Sequence, residues 1–307
     1  MFRIVLAAVL VIAVSVASAQ ERIAGFDNSV RLEYWYVSTG EFKDDYGSYD
    51  IGTTDTHVLL LSGVWSLNDR WKIYGSLPYV QKRLIDPSGY DGTHNPLVDF
   101  VEYTPPDLRF VDDGDYHGGF QDLFVGAQFL AVDGPAFKLS PFVSYGVPVT
   151  DYPIYGSAVI GRGLRELHLG VSLEFIPYFS DWYFSADIAY AFSEHVVGVD
   201  PSYWSTYFSA GYYITPRFVP RVFLTTRHSP DGLRFPEDFE PYEEKYDSEN
   251  GWRHDQTLVH NYINAGVGFD YIVSERYLLS ATYFRTIDAD NLFNTDYALT
   301  VALMRSF

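Results

Sequence analysis

The stretch DYALTVALMRSF, residues 296–307, alternates apolar residues with small or polar ones and ends on the aromatic residue Phe307. Successive side chains of a β-strand point to opposite faces, so this alternation predicts a strand with one apolar face. Leu299 and Leu303 would lie on that face, and Thr300 would lie on the other. Soluble sheets can show the same period, so the meaning of this strand depends on the rest of the chain.

Twelve segments of the chain, including this one, are predicted to be strands. Most are close to the length of about 9 to 11 residues that a tilted strand needs to cross a bilayer, whereas strands of soluble sheets have a mode of about 5 to 6. No segment shows a convincing helical period. The predicted strands are residues 29–38, 54–66, 70–80, 118–130, 136–147, 165–176, 181–192, 202–214, 217–227, 258–273, 276–286 and 296–307.

The connections between these strands alternate strictly between short and long. The short turns lie around residues 68–69, 133–134, 177–180, 215–216 and 274–275, and the long connections are residues 39–53, 81–117, 148–164, 193–201, 228–257 and 287–295. Outer-membrane barrels have this layout, with short periplasmic turns and longer extracellular loops. The sequence therefore predicts an all-β fold, a transmembrane antiparallel up-and-down β-barrel of about 12 strands. Closure requires the last strand to pair with the first.

Both ends of the chain fit this prediction. Arg3 precedes an apolar run over residues 4–14, and Ala17-Ser18-Ala19 then precedes Gln20, which is typical of a secretory signal peptide cut after Ala19. The predicted organisation is a signal peptide at residues 1–19 and a single barrel domain at residues 20–307, in the outer membrane of a Gram-negative bacterium. A closing strand that ends on Phe307 resembles those of outer-membrane barrels, which implies the barrel assembly machinery as a partner.

Composition agrees with an exported barrel and excludes other classes. The chain has 26 Tyr, 23 Phe and 6 Trp, while overall hydrophobicity is an ordinary 47%; this combination is typical of barrels with apolar outer faces and aromatic girdles. The absence of cysteine rules out a disulfide framework and a lipoprotein anchor. The 40 Asp and Glu outweigh the 21 Lys and Arg, which argues against nucleic acid as a partner.

Alternation also predicts which side chains face the lumen. On the strand at residues 165–176, Leu167 and Leu169 would face lipid, while Glu166 and His168 would face inward. A charged side chain that faced lipid near the midplane would cost about 2 to 4 kcal/mol, so inward positions are favoured. The residues predicted to face the lumen as candidates for a solute pathway are Arg31, Glu33, Lys72, Asp122, Lys138, Glu166, His168, Arg221, His260 and Asp270.

Two interpretations of these residues remain open. The cations could pair with the carboxylates and fill a narrow barrel, because buried charges are normally paired. Alternatively, some could line a pathway that selects solutes by charge and hydrogen bonding. The two histidines lack the ligand spacing of a metal site, and no cofactor is expected.

The long connections carry separate hypotheses. Residues 81–117 hold acidic residues around an apolar middle, so Phe100, Val101 and Tyr103 are candidates for a constriction at the barrel mouth, against the alternative of a solvated loop. Residues 228–257 are strongly acidic, and such a rim could attract cations or bridge divalent ions to lipopolysaccharide, a further expected partner beside the outer-membrane lipid.

The segment GGFQDLFVGAQF, which begins at Gly118, resembles the Gly-x-x-Asp-Leu-x-x-Gly strand of the outer-membrane transporter family annotated for the meta-cleavage pathway of phenol degradation. The segments PFVSYGVPVTDYP and VIGRGLRELHLGVSLE are similar to that family's next hairpin, although residues 146–151 depart from its Pro-Thr-Gly-Asp order. The resemblance implies passive passage of small solutes, including aromatic or hydrophobic compounds, and transfers no catalytic residues.

Two other functions are compatible with a barrel of this kind. A barrel of this size can be an outer-membrane phospholipase, and His228 and Ser229 lie together at a strand end. Adjacent residues on a strand point to opposite faces, whereas a base and a nucleophile must share one face, so the sequence predicts no enzyme. A closed structural or adhesive barrel is the third possibility, and nothing in the chain specifies a ligand for it.

Overall fold

The computed structural model describes residues 28–44, 47–49, 52–85, 111–234, 237–239 and 253–307. The predicted signal peptide and the three constriction candidates Phe100, Val101 and Tyr103 lie outside the described residues. Strands make up nearly all regular structure in the described part. They are β1 (Ser29–Asp44), β2 (Gly47–Tyr49), β3 (Thr53–Ser66), β4 (Trp71–Ile85), β5 (His117–Phe120), β6 (Asp122–Phe129), β7 (Val132–Asp133), β8 (Phe137–Pro148), β9 (Glu166–Phe175), β10 (Trp182–Ser193), β11 (Tyr203–Tyr212), β12 (Phe218–His228), β13 (Asn261–Ser274), β14 (Tyr277–Asp290) and β15 (Leu292–Ser306).

The sheet closes on itself, which confirms the predicted antiparallel barrel of twelve wall strands. β1 pairs with β3 on one side and with β15 on the other, in a register that places Trp35 opposite Val58 and opposite Thr300. β5 and β6 follow each other along β4 and form one wall strand, while β2 and β7 are short additions to β1 and β8. Closure leaves no unpaired edge in the wall, as a bilayer requires.

Side chains alternate between the exterior and the lumen, even where the sequence is apolar on both faces. In β3, Leu59 and Leu61 are 46% and 51% exposed, whereas Val58 and Leu60 between them are buried. The outward set forms an apolar belt around the barrel, which is the surface that a bilayer would cover. No helix in the described ranges is long and apolar enough to span a membrane.

Aromatic rings gather at both ends of this belt. At the end with the short turns, Trp65 packs on Phe307 and Trp71 on Phe129, with ring centroids 5.1 and 4.9 Å apart. At the end with the long loops, the rings of Tyr190 and Trp204 lie 4.9 Å apart, and similar contacts join Tyr36 to Tyr297 and Tyr79 to Phe120. Aromatic side chains are favoured at the interface between the apolar interior of a membrane and water.

Several strand boundaries differ from the prediction, and β1 continues to Asp44 and β4 to Ile85, beyond the predicted ends at residues 38 and 80. Residues 287–295 are predicted to form a long loop, but β14 continues to Asp290 by pairing with β13, and β15 begins at Leu292 by pairing with β1, with Asn291 between them at a φ of 54°. The strand predicted from residue 258 begins instead at Asn261. Val259 lies before this strand and is buried, because the chain here forms the short helix α1 (His254–Thr257) and a bridge between Leu233 and Leu258.

Candidate functional site

The candidate site is the barrel lumen, which has polar residues near both ends and an apolar layer between them. The cluster near the short turns, here called the turn-side cluster, comprises Arg31, Glu33, Tyr207, Arg221 and Asp270, all buried. Arg31 lies 3.0 Å from Glu33, and Arg221 lies 3.2 Å from Asp270 and donates to the Tyr207 hydroxyl at 2.9 Å. Each arginine of this cluster therefore has its own carboxylate.

An apolar layer crosses the lumen above the turn-side cluster. Its members are Trp35, Val37, Val58, Leu60, Val80, Tyr152, Ile160, Phe284 and Ala298, with Phe223 packed against them. Tyr152 and Ile160 do not belong to a strand; they come from the loop between β8 and β9. The interior is consequently less uniformly polar than the sequence analysis assumed, because a loop supplies apolar side chains that meet apolar wall residues.

Three loop segments fold into the barrel at its loop end and form what is called here the plug, namely residues 111–112, 152–164 and 253–260. Nearly every residue of the plug is buried. The Asp112 carboxylate accepts hydrogen bonds from the backbone N–H groups of Ser157 at 2.8 Å and Ala158 at 2.7 Å, and Asp255 accepts one from Gly156 at 3.2 Å. The three segments therefore hold one another in place.

The electrostatics of the plug centre on Asp112. Burial raises the pKa of this carboxyl to about 6, although its hydrogen bonds from Ser157 and Ala158 and the positive charge of Lys82 act in the opposite direction. The charge of Asp255 adds to the rise. The ionised form of Asp112 is thus less favourable in the docked plug than in water.

A second polar group, here called the loop-side cluster, lies where the plug meets the wall. It comprises Arg162, Glu166, His168, Tyr203, Arg227 and His260, all buried. The Glu166 carboxylate accepts from Arg162 at 2.6 Å and Ser193 at 3.1 Å through one oxygen. Through the other oxygen it accepts from His168 at 3.1 Å and Tyr203 at 2.9 Å. One carboxylate therefore serves four donors.

Arg227 has no such acceptor. Its guanidinium carbon lies 3.6 Å from the centre of the Tyr203 ring, so the cation stacks on the aromatic face. None of its three side-chain nitrogens has a hydrogen-bond partner within the described chain, and neither ring nitrogen of His260 has one. Burial and the neighbouring charges of Arg227 and Arg162 hold the pKa of His260 well below its ordinary value, so this ring is neutral near pH 7.

The remaining predicted residues lie apart from these clusters. Asp122 accepts a hydrogen bond from the Tyr152 hydroxyl at 2.6 Å. Lys72 is half-buried, and Lys138 is on the inward register but exposed at the turn end, 3.9 Å from Asp133. The predicted pairing of cations with carboxylates is thus realised for Arg31 and Arg221, while Lys138 takes a different carboxylate because it lies too near the end of its strand.

The sequence analysis missed Arg162, Tyr203 and Arg227. The signal for Arg227 was present, because it lies six residues after Arg221 on the same strand and must share its face. The signal for Arg162 was absent, since nothing in a loop sequence states that the loop enters the barrel. His228 and Ser229 behave as the alternation predicted: His228 is exposed and Ser229 is buried.

Aromatic rings lie flat against the lumen wall opposite glycines. In each case a Cβ on the glycine would overlap the ring of the residue directly across the strand pair. The close approach requires glycine, because any side chain would lift the ring away from the wall. The five pairs are Tyr74 with Gly126, Phe124 with Gly146, Phe142 with Gly170, Tyr183 with Gly211, and Phe223 with Gly266.

No group of three or more histidine, aspartate or glutamate side chains in the described ranges is arranged to hold a metal ion. Both clusters have buried nitrogens without a hydrogen-bond partner in the described ranges, but Arg31 and Arg221 each pair with a carboxylate, whereas Arg227 forms no ion pair there.

Comparisons with known proteins agree on the fold. The sequence matches no family model and no curated protein. An outer-membrane channel of Pseudomonas putida F1 superposes with a TM-score of 0.63 at 12% identity, over 92% of this chain and 96% of that one. The translocator domain of the autotransporter NalP from Neisseria meningitidis gives 0.52 at 10% identity, over 94% and 92%.

The P. putida toluene transporter TodX gives a TM-score of 0.47 at 10% identity, over 94% of this chain and 92% of that one. All of these identities are low, so the likeness concerns architecture. By that measure the chain has the fold of outer-membrane β-barrels.

Proposed function

We propose that this chain is an outer-membrane channel that passes small solutes through its lumen, including aromatic or hydrophobic compounds. The observation that carries the proposal is that a loop supplies part of the apolar layer inside the lumen. Tyr152 and Ile160 reach the apolar layer from a connection between strands, and a loop can leave without breaking the barrel. The fold similarity to an outer-membrane channel supports the same function.

The composition of the lumen fits a pathway with two kinds of surface. Polar residues near both ends can exchange hydrogen bonds with a solute, and the aromatic rings that lie flat on the wall offer it an apolar face. A barrel with a purely structural role would be stabilised by a core that is filled by its own wall. The proposed channel is therefore gated, with the plug as the gate.

Planar-bilayer recording tests this proposal on the full chain. The double variant Tyr152→Ala and Ile160→Ala removes both contacts of the plug with the apolar layer, so we expect longer or larger openings than in the wild type. Tyr145→Ala is the matched control, because Tyr145 lies on the barrel exterior and is 42% exposed. A double variant that stays silent, and that also fails to admit apolar compounds into liposomes, would leave the structural or adhesive barrel as the better reading.

The same proposal includes the absence of lipid hydrolysis. His228 and Ser229 lie on opposite faces of the strand end, so the imidazole does not reach the hydroxyl as a general base must. We expect no release of fatty acid from phospholipid vesicles by the wild type. Release that disappears in Ser229→Ala would make the chain a hydrolase.

Location and assembly belong to the proposal too. We infer export by residues 1–19, insertion into the outer membrane beside lipopolysaccharide, and recognition of the closing strand by the barrel assembly machinery. In the closed barrel, the Phe307 N–H donates to the Asn28 carbonyl at 3.1 Å in the seam between β15 and β1. Membrane fractionation of cells that express the chain measures its location in the outer membrane. The same measurement on a chain without Phe307 tests whether this residue is needed for assembly.

A further inference from the structure

The loop-side cluster contains more buried donors than the protein can satisfy. Arg227 presents a guanidinium with five N–H groups, and none of its nitrogens has a hydrogen-bond partner in the described ranges. Arg162 uses one nitrogen on Glu166, and its other two nitrogens are likewise without a partner. Both arginines are only 2% exposed. Buried donors without acceptors are rare in folded proteins, so this arrangement calls for an explanation.

The neighbouring carboxylates do not supply the missing acceptors. Both oxygens of Glu166 are already engaged by Arg162, His168, Tyr203 and Ser193. Asp122 also faces Arg162, but its hydrogen bond is to Tyr152. Arg227 is thus a buried cation whose charge is balanced at a distance, without an ion pair of its own.

The position of the Arg227 guanidinium leaves its N–H groups available to a ligand. Stacking on Tyr203 at 3.6 Å fixes the plane of the guanidinium and leaves its edge, where the N–H groups lie, unused by the ring. The guanidinium carbon of Arg162 lies 5.6 Å from the centre of the same Tyr203 ring. The charges of both arginines lower the pKa of His260. Two arginines and one neutral imidazole therefore converge on one small region.

We propose that this region is a binding site for the carboxylate of a small organic acid, held in a two-point hydrogen bond by Arg227 and supported by Arg162 and His260. A planar carboxylate matches the fork of a guanidinium, and Glu166 nearby disfavours more highly charged anions. The rings of Tyr203 and Phe124, which both contact His168, offer an apolar surface for the body of the acid. This inference rests on the proposed function and names the class of solute.

The site also joins the wall to the plug. Arg227 belongs to β12, whereas Arg162 and His260 belong to plug segments. A carboxylate bound between them would therefore interact with both parts at once. This places recognition of the solute at the gate.

Calorimetric titration of the purified full chain in detergent tests the proposal with benzoate and with benzamide, a neutral compound of the same size. We expect benzoate to bind and benzamide not to bind, and Arg227→Gln to weaken benzoate binding by about 10- to 100-fold, because a buried charged hydrogen bond is lost. Arg217→Gln is the control: it removes the same charge from the exposed turn before β12.

The outcomes separate cleanly. Equal binding of the two compounds, absence of benzoate binding to the wild type, or unchanged affinity in a folded Arg227→Gln would overturn the site. The comparison of benzoate with benzamide needs no variant, so it decides the question even if Arg227→Gln does not fold. If the wild type conducts in bilayers but does not bind benzoate, only this inference is wrong. If neither the wild type nor the double variant Tyr152→Ala and Ile160→Ala conducts, the proposed function is wrong.

Discussion

Arg221 and Arg227 lie six residues apart on the lumen face of the same strand, and both are almost fully buried. Arg221 forms an ion pair with Asp270 and donates a hydrogen bond to the Tyr207 hydroxyl. Arg227 has only an aromatic face beneath it. The comparison shows that two buried charges in one barrel can have opposite effects on its stability. Near the turns the charge is part of the structure, and near the loops it costs stability without a protein partner.

The turn-side cluster offers the strongest test of this comparison. Asp270→Ala would leave Arg221 buried without its carboxylate, so we expect a loss of about 3 to 5 kcal/mol in the free energy of unfolding, measured by urea unfolding in micelles. The control is Asp133→Ala, where an exposed partner of Lys138 is lost and the expected change is below about 1 kcal/mol. Similar values for the two variants would contradict the ion-pair interpretation.

The apolar layer keeps the two clusters apart, and Phe223 lies in it between the two arginines of β12. Gly266→Ala would force the Phe223 ring off the wall and into its neighbours Tyr207 and Phe284, at an expected cost of about 1 to 3 kcal/mol in the same unfolding assay. Gly63→Ala is the matched control, because a Cβ there meets nothing closer than 3.4 Å. Equal stability of the two variants would show that the ring has room to move.

A change of pH should alter how tightly the plug docks at the loop end of the barrel. The pKa of Asp112 in the docked plug is raised to about 6 by burial, above its ordinary value of 3.8, so its contribution to docking is complete below pH 4 and is lost as pH rises through 6. We expect the ratio of open to closed channel to rise about tenfold between pH 5 and pH 7.

Single-channel recording at the two pH values measures this ratio. Asp112→Asn should flatten the dependence, whereas Asp113→Asn, which changes an exposed neighbouring carboxylate, should leave it in place. A dependence that persists in Asp112→Asn would assign the titration to another group.

The smallest effect is expected from Arg227→Met. No ion pair is lost, and an unsatisfied buried cation is replaced by an apolar side chain of similar length, so the free energy of unfolding should change by less than about 1 kcal/mol or increase. Arg221→Met is the paired measurement, because it strands Asp270. If Arg227→Met is as destabilising as Arg221→Met, the difference between the two clusters does not exist.

The strands and their faces followed from the sequence because their causes are local. A period of two fixes the face of a residue such as Leu167, which is exposed as predicted, and turn chemistry fixes where a strand reverses. The ends of several strands did not follow, because β1, β4 and β14 continue beyond their predicted ends; in β14, Asp288 and Asp290 belong to residue types typical of loops yet continue the pairing with β13.

The candidate site was less predictable because its causes are distant in the chain. Alternation places Lys138 and Arg227 inward but says nothing of height along the barrel, so it could not tell an exposed rim position from a buried one. The contacts of Asp112 with Ser157 and of Gly156 with Asp255 join loops far apart in sequence. Only the folded barrel brings these loops together, and with them Arg162 and His260 to the wall.

The flat rings opposite glycines bear on how the barrel assembles. A slip of two residues between neighbouring strands keeps every apolar side chain facing lipid, so the alternating pattern alone cannot forbid it. After such a slip, Phe124 would no longer lie opposite Gly146, and Phe142 would no longer lie opposite Gly170. The rings would then meet side chains instead of bare backbone. Each pair thus favours a single register between its two strands. The pairs are distributed around the wall from β4 to β13.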